Sequence, residues 1–394
     1  MVNLLSGKVS SYLYNNKFIF WIYVLVTIIV SLAKYYAGTN YIDGGAYSHI
    51  NNYHIFKASF QHLISGKDLY TLHPADHFDL YKYSPAFAVF MGLFYWLPDV
   101  IGIIIWNMLN SITLFFSILQ LNRISSKNKI LLLLFILPEL IISLQNSQSN
   151  GLMAALIIYA FNFLEKEKYF IATLFISLTV FIKLFGIFAF LLCLFYPQRI
   201  KSVLYAMVWF VFLALLPLLL IPFSQLINLY QSWLNMLGND HSASVGVSVL
   251  GMLRSLNLFL KKELVLLVGL IILLLTAFKN FKVVFDQQKN LVLSSILIWI
   301  VIFNHKAESP TYIIAMCGAA IWYFSYVNNS ILHIILLFSA FVFSSISPTD
   351  LFPKIVRQNI IIPYSLKALP LTLIWLAVSY ELITIKNYGL KKGS

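Results

Sequence analysis

The stretch FIFWIYVLVTIIVSLA, Phe18–Ala33, carries neither a charge nor a proline. It is long enough to cross a bilayer core with modest help from its flanks. Beyond it the chain turns polar, and the loop from about Gly38 to Tyr83 is rich in Tyr, His, Asn and Asp. Asp43 opens that loop and is the only acid before Asp68. An acid fixed where a membrane span meets a large polar loop is a candidate catalytic group.

The apolar pattern recurs to the end of the chain. Of 394 residues, 60% are hydrophobic and 10% charged, against about 25% charged in a soluble globular domain. Lys/Arg clusters or Pro/Asn/Ser breaks bound each run, as in a polytopic membrane protein. The runs of Leu, Ile and Phe do not alternate, which excludes a transmembrane barrel and predicts an all-α architecture. Roughly 11 to 13 hydrophobic helices are expected, at 18–36, 84–97, 100–121, 130–145, 151–164, 169–182, 184–196, 202–223, 263–278, 290–304, 309–326, 330–346 and 366–386, forming a single membrane domain over 1–394. Several are short enough to be half-spans or re-entrant pieces. No small-residue cleavage site stands close behind the first span, so it reads as an anchor rather than a signal peptide.

Basic residues orient the chain. Lys8, Lys17, Lys127, Lys129, Lys166, Lys168, Arg199, Lys201, Lys279, Lys282, Lys391 and Lys392 cluster between spans and read as cytoplasmic. This accounts for the net charge of +13 without any nucleic-acid partner. The first loop 37–83, the interfacial region 224–262, the turn 146–150, the neighbourhood of Lys183, 304–308 and 347–365 then share the opposite, extracytoplasmic face, provided that 84–97 does not fully cross. Two amphipathic helices are expected on that side. One presents Ile50, Tyr53, Phe56, Phe60, Leu63 and Ile64 at helical spacing; the other runs near Phe223–Leu237 with Tyr230 and Trp233 as interfacial anchors. Cys193 and Cys317 lie inside apolar runs and read as packed thiols.

The polar residues on that face are the candidates for chemistry. Lys183 is the only charge in Leu174–Leu194. A cation there marks a functional pathway unless it snorkels from the end of two short helices. Arg254, just before a new apolar run, reads equally as a bidentate phosphate clamp or an interfacial anchor. His305 and Glu308 at i, i+3 could line one face of a helix end, for acid–base work, sugar binding or a metal. Two ligands fall short of a metal site, which favours substrate binding. Gln148 and Asn150 offer amides that suit sugar hydroxyls, although a polar turn needs no such purpose. His49, His54, His62, His73 and His77 show no ligand spacing, so no metal site is expected. No phosphate-cradling glycine loop or nucleophile elbow appears.

The order of these features resembles the GT-C superfamily, and within it the glycosyltransferase 87 family of polyprenyl-phosphate-sugar-dependent enzymes. The resemblance rests on Asp43 after the first span, Gly66-Lys-Asp-Leu-Tyr70, Tyr83-Ser-Pro85, and Trp106 with Asn110. It continues through Gln148-Ser-Asn150, Lys183, and Ser248 to Arg254. Ser147 stands where the family tends to have Gly, and Leu184 where it has Pro after the Lys. The resemblance implies a GT-C fold with a large first extracytoplasmic loop in a bacterial plasma membrane. It implies an inverting transfer of a sugar, mannose by default, from a polyprenyl-phosphate donor to a lipid or glycan acceptor, without cofactor or metal. Asp43 would be the general base, Lys183 and Arg254 would hold the leaving phosphate, and Tyr83, Gln148, Asn150, His305 and Glu308 would line the substrate site. Two other readings share much of this pattern: a transporter or flippase for a lipid-linked saccharide, and a polysaccharide polymerase or ligase. The latter carry their large loop late in the chain, whereas here it is early.

Overall fold

The computed structural model describes residues 15–42, 45–239, 245–279, 288–326 and 329–384. Helix α1 spans Asn16–Tyr36, and the Asn15 side chain caps it by accepting the Lys17 N–H at 2.9 Å. Ile19, Tyr23 and Thr27 recur every fourth residue and are buried, while Trp21, Leu25 and Ile29 face outward. That is a one-sided apolar helix at the edge of a bundle. A short antiparallel hairpin follows, β1 (Thr39–Ile42) with β2 (Gly45–Ser48), in register Thr39↔Ser48 and Ile42↔Gly45. The expected all-α architecture is corrected by this one hairpin, where alternation is too brief to be read as strand.

The first loop continues with α2 (Asn51–Ile64) and leads to α3 (Pro85–Tyr95). Ser84 caps α3 and Pro85 takes its first position, where a missing N–H costs nothing. At 11 residues, α3 rises about 16 Å, half the ~30 Å hydrocarbon core. On its own α3 is too short to span that core. Next come α4 (Asp99–Leu119), α5 (Ser126–Gln145), α6 (Asn150–Glu165) and α7 (Tyr169–Ile182). The expected span 184–196 is instead a 3-10 run, Leu184–Phe195, followed by α8 (Arg199–Leu215), which continues as a 3-10 turn to Leu219.

The second half holds α9 (Phe223–Asn239), α10 (Val249–Ser255), α11 (Lys262–Lys279), α12 (Lys289–Ile302), α13 (Tyr312–Phe324), α14 (Ile331–Ala340) with a π turn to Ile346, and α15 (Ala368–Thr384). Four helices, Asn16–Tyr36, Asp99–Leu119, Ser126–Gln145 and Arg199–Leu219, are long and apolar enough to cross a membrane. The chain is a membrane-embedded helical protein.

The core forms where helices are apolar all round. Residues Asn290–Ile302 of α12 and Tyr312–Trp322 of α13 are all buried, and these two helices pack on each other. Around them α1, α4, α5, α6 and α7 pack side by side, while α8 and α11 expose long apolar faces, as lipid-facing helices do. Polar cross-links replace part of the hydrophobic drive that lipid cannot supply. Tyr23 donates to the Leu133 carbonyl at 2.8 Å, Thr27 and Ser111 hydroxyls meet at 2.8 Å, and Asn107 donates to Ser31 at 2.9 Å.

Candidate functional site

The turn between α5 and α6 is built first by its own backbone and then by α4. Ser147 adopts φ +52, in the left-handed region, and its N–H donates to Leu144 O at 2.9 Å. From α4, Trp106 Nε1 donates to Ser147 O at 2.9 Å, Asn107 Nδ2 to Leu144 O at 3.3 Å, and Asn110 Oδ1 accepts the Leu152 N–H at 2.8 Å. From the first loop, Asn52 Nδ2 donates to Asn146 O at 2.8 Å. Four side chains from two elements thus clamp the short turn that carries Gln148 and Asn150.

Lys183 reaches into that turn. It ends α7 in an extended conformation (φ −139°, ψ 123°) before the 3-10 run begins. Its Nζ donates to Asn150 Oδ1 at 2.8 Å and to Gln148 Oε1 at 3.1 Å. Gln148 Nε2 in turn donates to Glu308 Oε2 at 3.3 Å. The ammonium therefore rests on two neutral amide oxygens, and its nearest carboxylate partner is held one amide away. Among the described residues Lys183 makes no ion pair, so its charge is not cancelled at contact. The Tyr83 ring lies 5.9 Å from Lys183 Nζ, within cation–π range. Ser84 ties the same loop down by donating to Phe181 O at 2.6 Å. Ser147 Oγ, Ser149 Oγ and Asn150 Nδ2 are buried without a hydrogen-bond partner. Such atoms are costly in a lipid-embedded core and suit a polar ligand.

Five residues read from the sequence, Tyr83, Gln148, Asn150, Lys183 and Glu308, are thus brought together. Glu308 is exposed and opens the cluster outward. It does not lie on a helix end with His305, because 303–308 is a turn and coil segment; α12 ends at Ile302 and the next helical turn starts at Ser309. His305 instead lines a cleft of about 100 Å³ with Leu250, Lys262, Glu263 and Phe303. Arg254 sits exposed on α10 and makes no side-chain hydrogen bond or ion pair among the described residues. Asp43 lies outside the described residues.

The structure adds a group that the sequence reading passed over. Glu139, buried in α5, pairs with buried Lys367 at 2.7 Å. Lys367 Nζ also donates to Ser309 Oγ at 2.8 Å and Ser309 O at 3.1 Å, and it lies 4.8 Å from the Tyr312 ring centroid. The pair anchors the residue next to Glu308 to α5. The signal was present: an acid inside the apolar run 130–145, and a lysine heading the last one.

At the other end of α6, buried Glu165 meets Arg123, Lys289 at 3.2 Å and the Tyr196 hydroxyl at 2.5 Å. Asn150 and Glu165 are the first and last of 16 residues, so the two polar clusters stand about 22 Å apart along one helix.

The model of glycosyltransferase family 87 matches residues 81–310, more than half of the chain. The matched region runs from the Tyr83 loop through Gln148, Asn150 and Lys183 to Glu308. No curated protein matches the chain.

Proposed function

The chain belongs to glycosyltransferase family 87, and from that premise we propose that it is an inverting transferase moving a sugar, mannose, from a polyprenyl-phosphate donor to a lipid or glycan acceptor on the extracytoplasmic face of a bacterial plasma membrane. The observation that carries this reading is Lys183, a cation held by Gln148 and Asn150 without a contacting carboxylate. A leaving phosphate gains charge as the glycosidic bond breaks, and a preorganised cation beside it lowers the barrier. The acceptor hydroxyl attacks the anomeric carbon, its proton passes to Asp43, and polyprenyl phosphate departs with the bonding electron pair. Glu308 and the Gln148 and Asn150 amides bind sugar hydroxyls, and Tyr83 packs beside them. Arg254, exposed as it is, meets the phosphate from the lipid side.

Two further features support the reading. An apolar groove of about 620 Å³ runs along α8, lined by Met207, Val211, Leu215 and Leu219 among others. Its lining residue Leu216 packs against the cluster of Leu213, Phe181 and Ala86, close in sequence to Lys183 and Tyr83, and its chemistry fits a polyprenyl tail. The Glu165 end of α6 is flanked by Lys166 and Lys168, the type of loop that stays cytoplasmic; the Lys183 cluster lies at the opposite end.

The test is sugar transfer by the purified protein in lipid, with synthetic polyprenyl-phosphate-mannose and pooled lipid and glycan acceptors. Asp43→Asn is expected to abolish transfer while donor still binds. Lys183→Met is expected to lower kcat about 100-fold or more. Undiminished transfer by Asp43→Asn removes that residue as the base. Absence of transfer with any donor, together with movement of lipid-linked saccharide across the vesicle, would favour the transporter reading.

A further inference from the structure

The first loop folds three histidines and an aspartate into one cluster that the transfer site does not use. His62 stands buried in the last turn of α2. Its Nε2 meets Asp76 Oδ2 at 2.8 Å, and its ring centroid lies 3.9 Å from that of His73. One ligating atom from each of His62, His73 and Asp76 falls within 4.8 Å of the others. The His77 ring flanks them, 5.9 Å from His62 and 6.0 Å from His73 between centroids, just outside the tighter triad.

Two hydrogen bonds decide the tautomers. His73 Nε2 meets the Asp68 carbonyl at 2.8 Å, and His77 Nδ1 meets the Asp79 carbonyl at 2.9 Å. A carbonyl oxygen only accepts, so these nitrogens carry the protons and the lone pairs stand on His73 Nδ1 and His77 Nε2. His77 Nε2 is buried with no hydrogen-bond partner. A backbone carbonyl behind each imidazole is the arrangement that orients metal-binding histidines. His62 Nε2 likewise donates to the Asp76 carboxylate, and a metal ion bound between them displaces that proton. The hydrogen bond from His62 holds Asp76 below the usual carboxylate range. Lys67 is the nearby cation facing His62 and Asp76.

We propose that His62, His73 and Asp76 bind a zinc ion, with His77 closing in as the fourth ligand. Imidazole nitrogens with one carboxylate are a zinc set by ligand type. A tetrahedral ion spaces its ligand atoms about 3.3 Å apart, so the triad closes by small side-chain movements. The ion staples the end of α2 to the 73–77 segment, and thereby steadies the loop that runs on to Tyr83. It neither depends on the donor sugar nor takes part in the transfer.

The experiment uses the full chain in lipid nanodiscs, stripped with chelator and titrated with Co²⁺ and then Zn²⁺. The expected result is one cobalt per chain with the intense d–d absorption of a tetrahedral site, displaced by zinc, and a zinc-dependent rise in Tm. Asp76→Asn and His73→Gln should each weaken binding about tenfold or more. His54→Gln, replacing an α2 histidine that pairs with Asp99 instead, should bind as the wild type does. Asp76 is exposed, so its replacement does not threaten folding. Absence of the cobalt spectrum, or equal binding by Asp76→Asn, His73→Gln and wild type, overturns the proposal.

Discussion

At Ser147 the chain takes φ +52, and the hydroxyl is buried with nothing to bond. A non-glycine residue in this region costs about 1–2 kcal/mol, and an unmet buried hydroxyl adds about 1–3 kcal/mol. Glycine would remove both while losing about 0.5–1 kcal/mol to chain entropy. Ser147→Gly is therefore expected to stabilise the protein by about 1 kcal/mol or more, read as a raised Tm in detergent. The Trp106 bond to the Ser147 carbonyl and the Lys183 contacts to Gln148 and Asn150 do not involve the side chain, so the turn and the seat of Lys183 should persist. Where the resemblance expects Gly, Ser147 is a local strain with the turn geometry kept. The residue types at this site were legible in the sequence, because uncharged amides and a lone lysine stand out among apolar runs. Their partnership was not: Lys183 and Gln148 are 35 positions apart, Gln148 and Glu308 160, and no local periodicity links residues so separated.

At the level of elements, the α7–3-10 junction aims Lys183. Lys183 is extended at φ −139° and ψ 123°, the conformation that a following proline imposes. Leu184 opens the 3-10 run, where a proline is also accommodated. Leu184→Pro is thus expected to change stability by less than about 1 kcal/mol and to leave transfer intact. Gly186 is the stricter position. A Cβ there would overlap Thr179 Oγ1 and lie 2.6 Å from the Thr179 carbonyl carbon, in the turn that leads into Lys183. Gly186→Ala should cost about 1–3 kcal/mol and lower transfer along with Tm, measured side by side with Leu184→Pro. A reversal of the two results would mean that the junction is not what orients the lysine. The sequence located a break here but read the next stretch as an α-span. Twelve apolar residues satisfy either a short α-helix or a 3-10 run, and only packing against α7 and α12 chooses between them.

For the whole molecule, the positions of most helices were readable because length and apolarity are local quantities; the 3-10 run at Leu184–Phe195 and the helix expected at 202–223, which ends at Leu215, are the departures. What holds the two halves together was less readable, because it is a pair of charges buried between distant helices. Glu139 and Lys367 meet at 2.7 Å across 228 positions, and Lys367 also grips Ser309. Taking one partner away leaves the other charge buried and alone, which costs about 3–5 kcal/mol. Glu139→Met and Lys367→Met are each expected to destabilise by that order, while the double variant should recover most of it, since an apolar replacement of both charges is often neutral. Stability and transfer should then part company. The double variant lacks the hydrogen bonds to Ser309, so the segment bearing Glu308 is no longer fixed opposite Gln148. Thermal unfolding of the four members of this cycle is therefore expected to show near-complete rescue, while KM for the sugar donor stays raised. If the rescued variant also regains wild-type KM, the pair serves cohesion alone and Ser309 does not position Glu308.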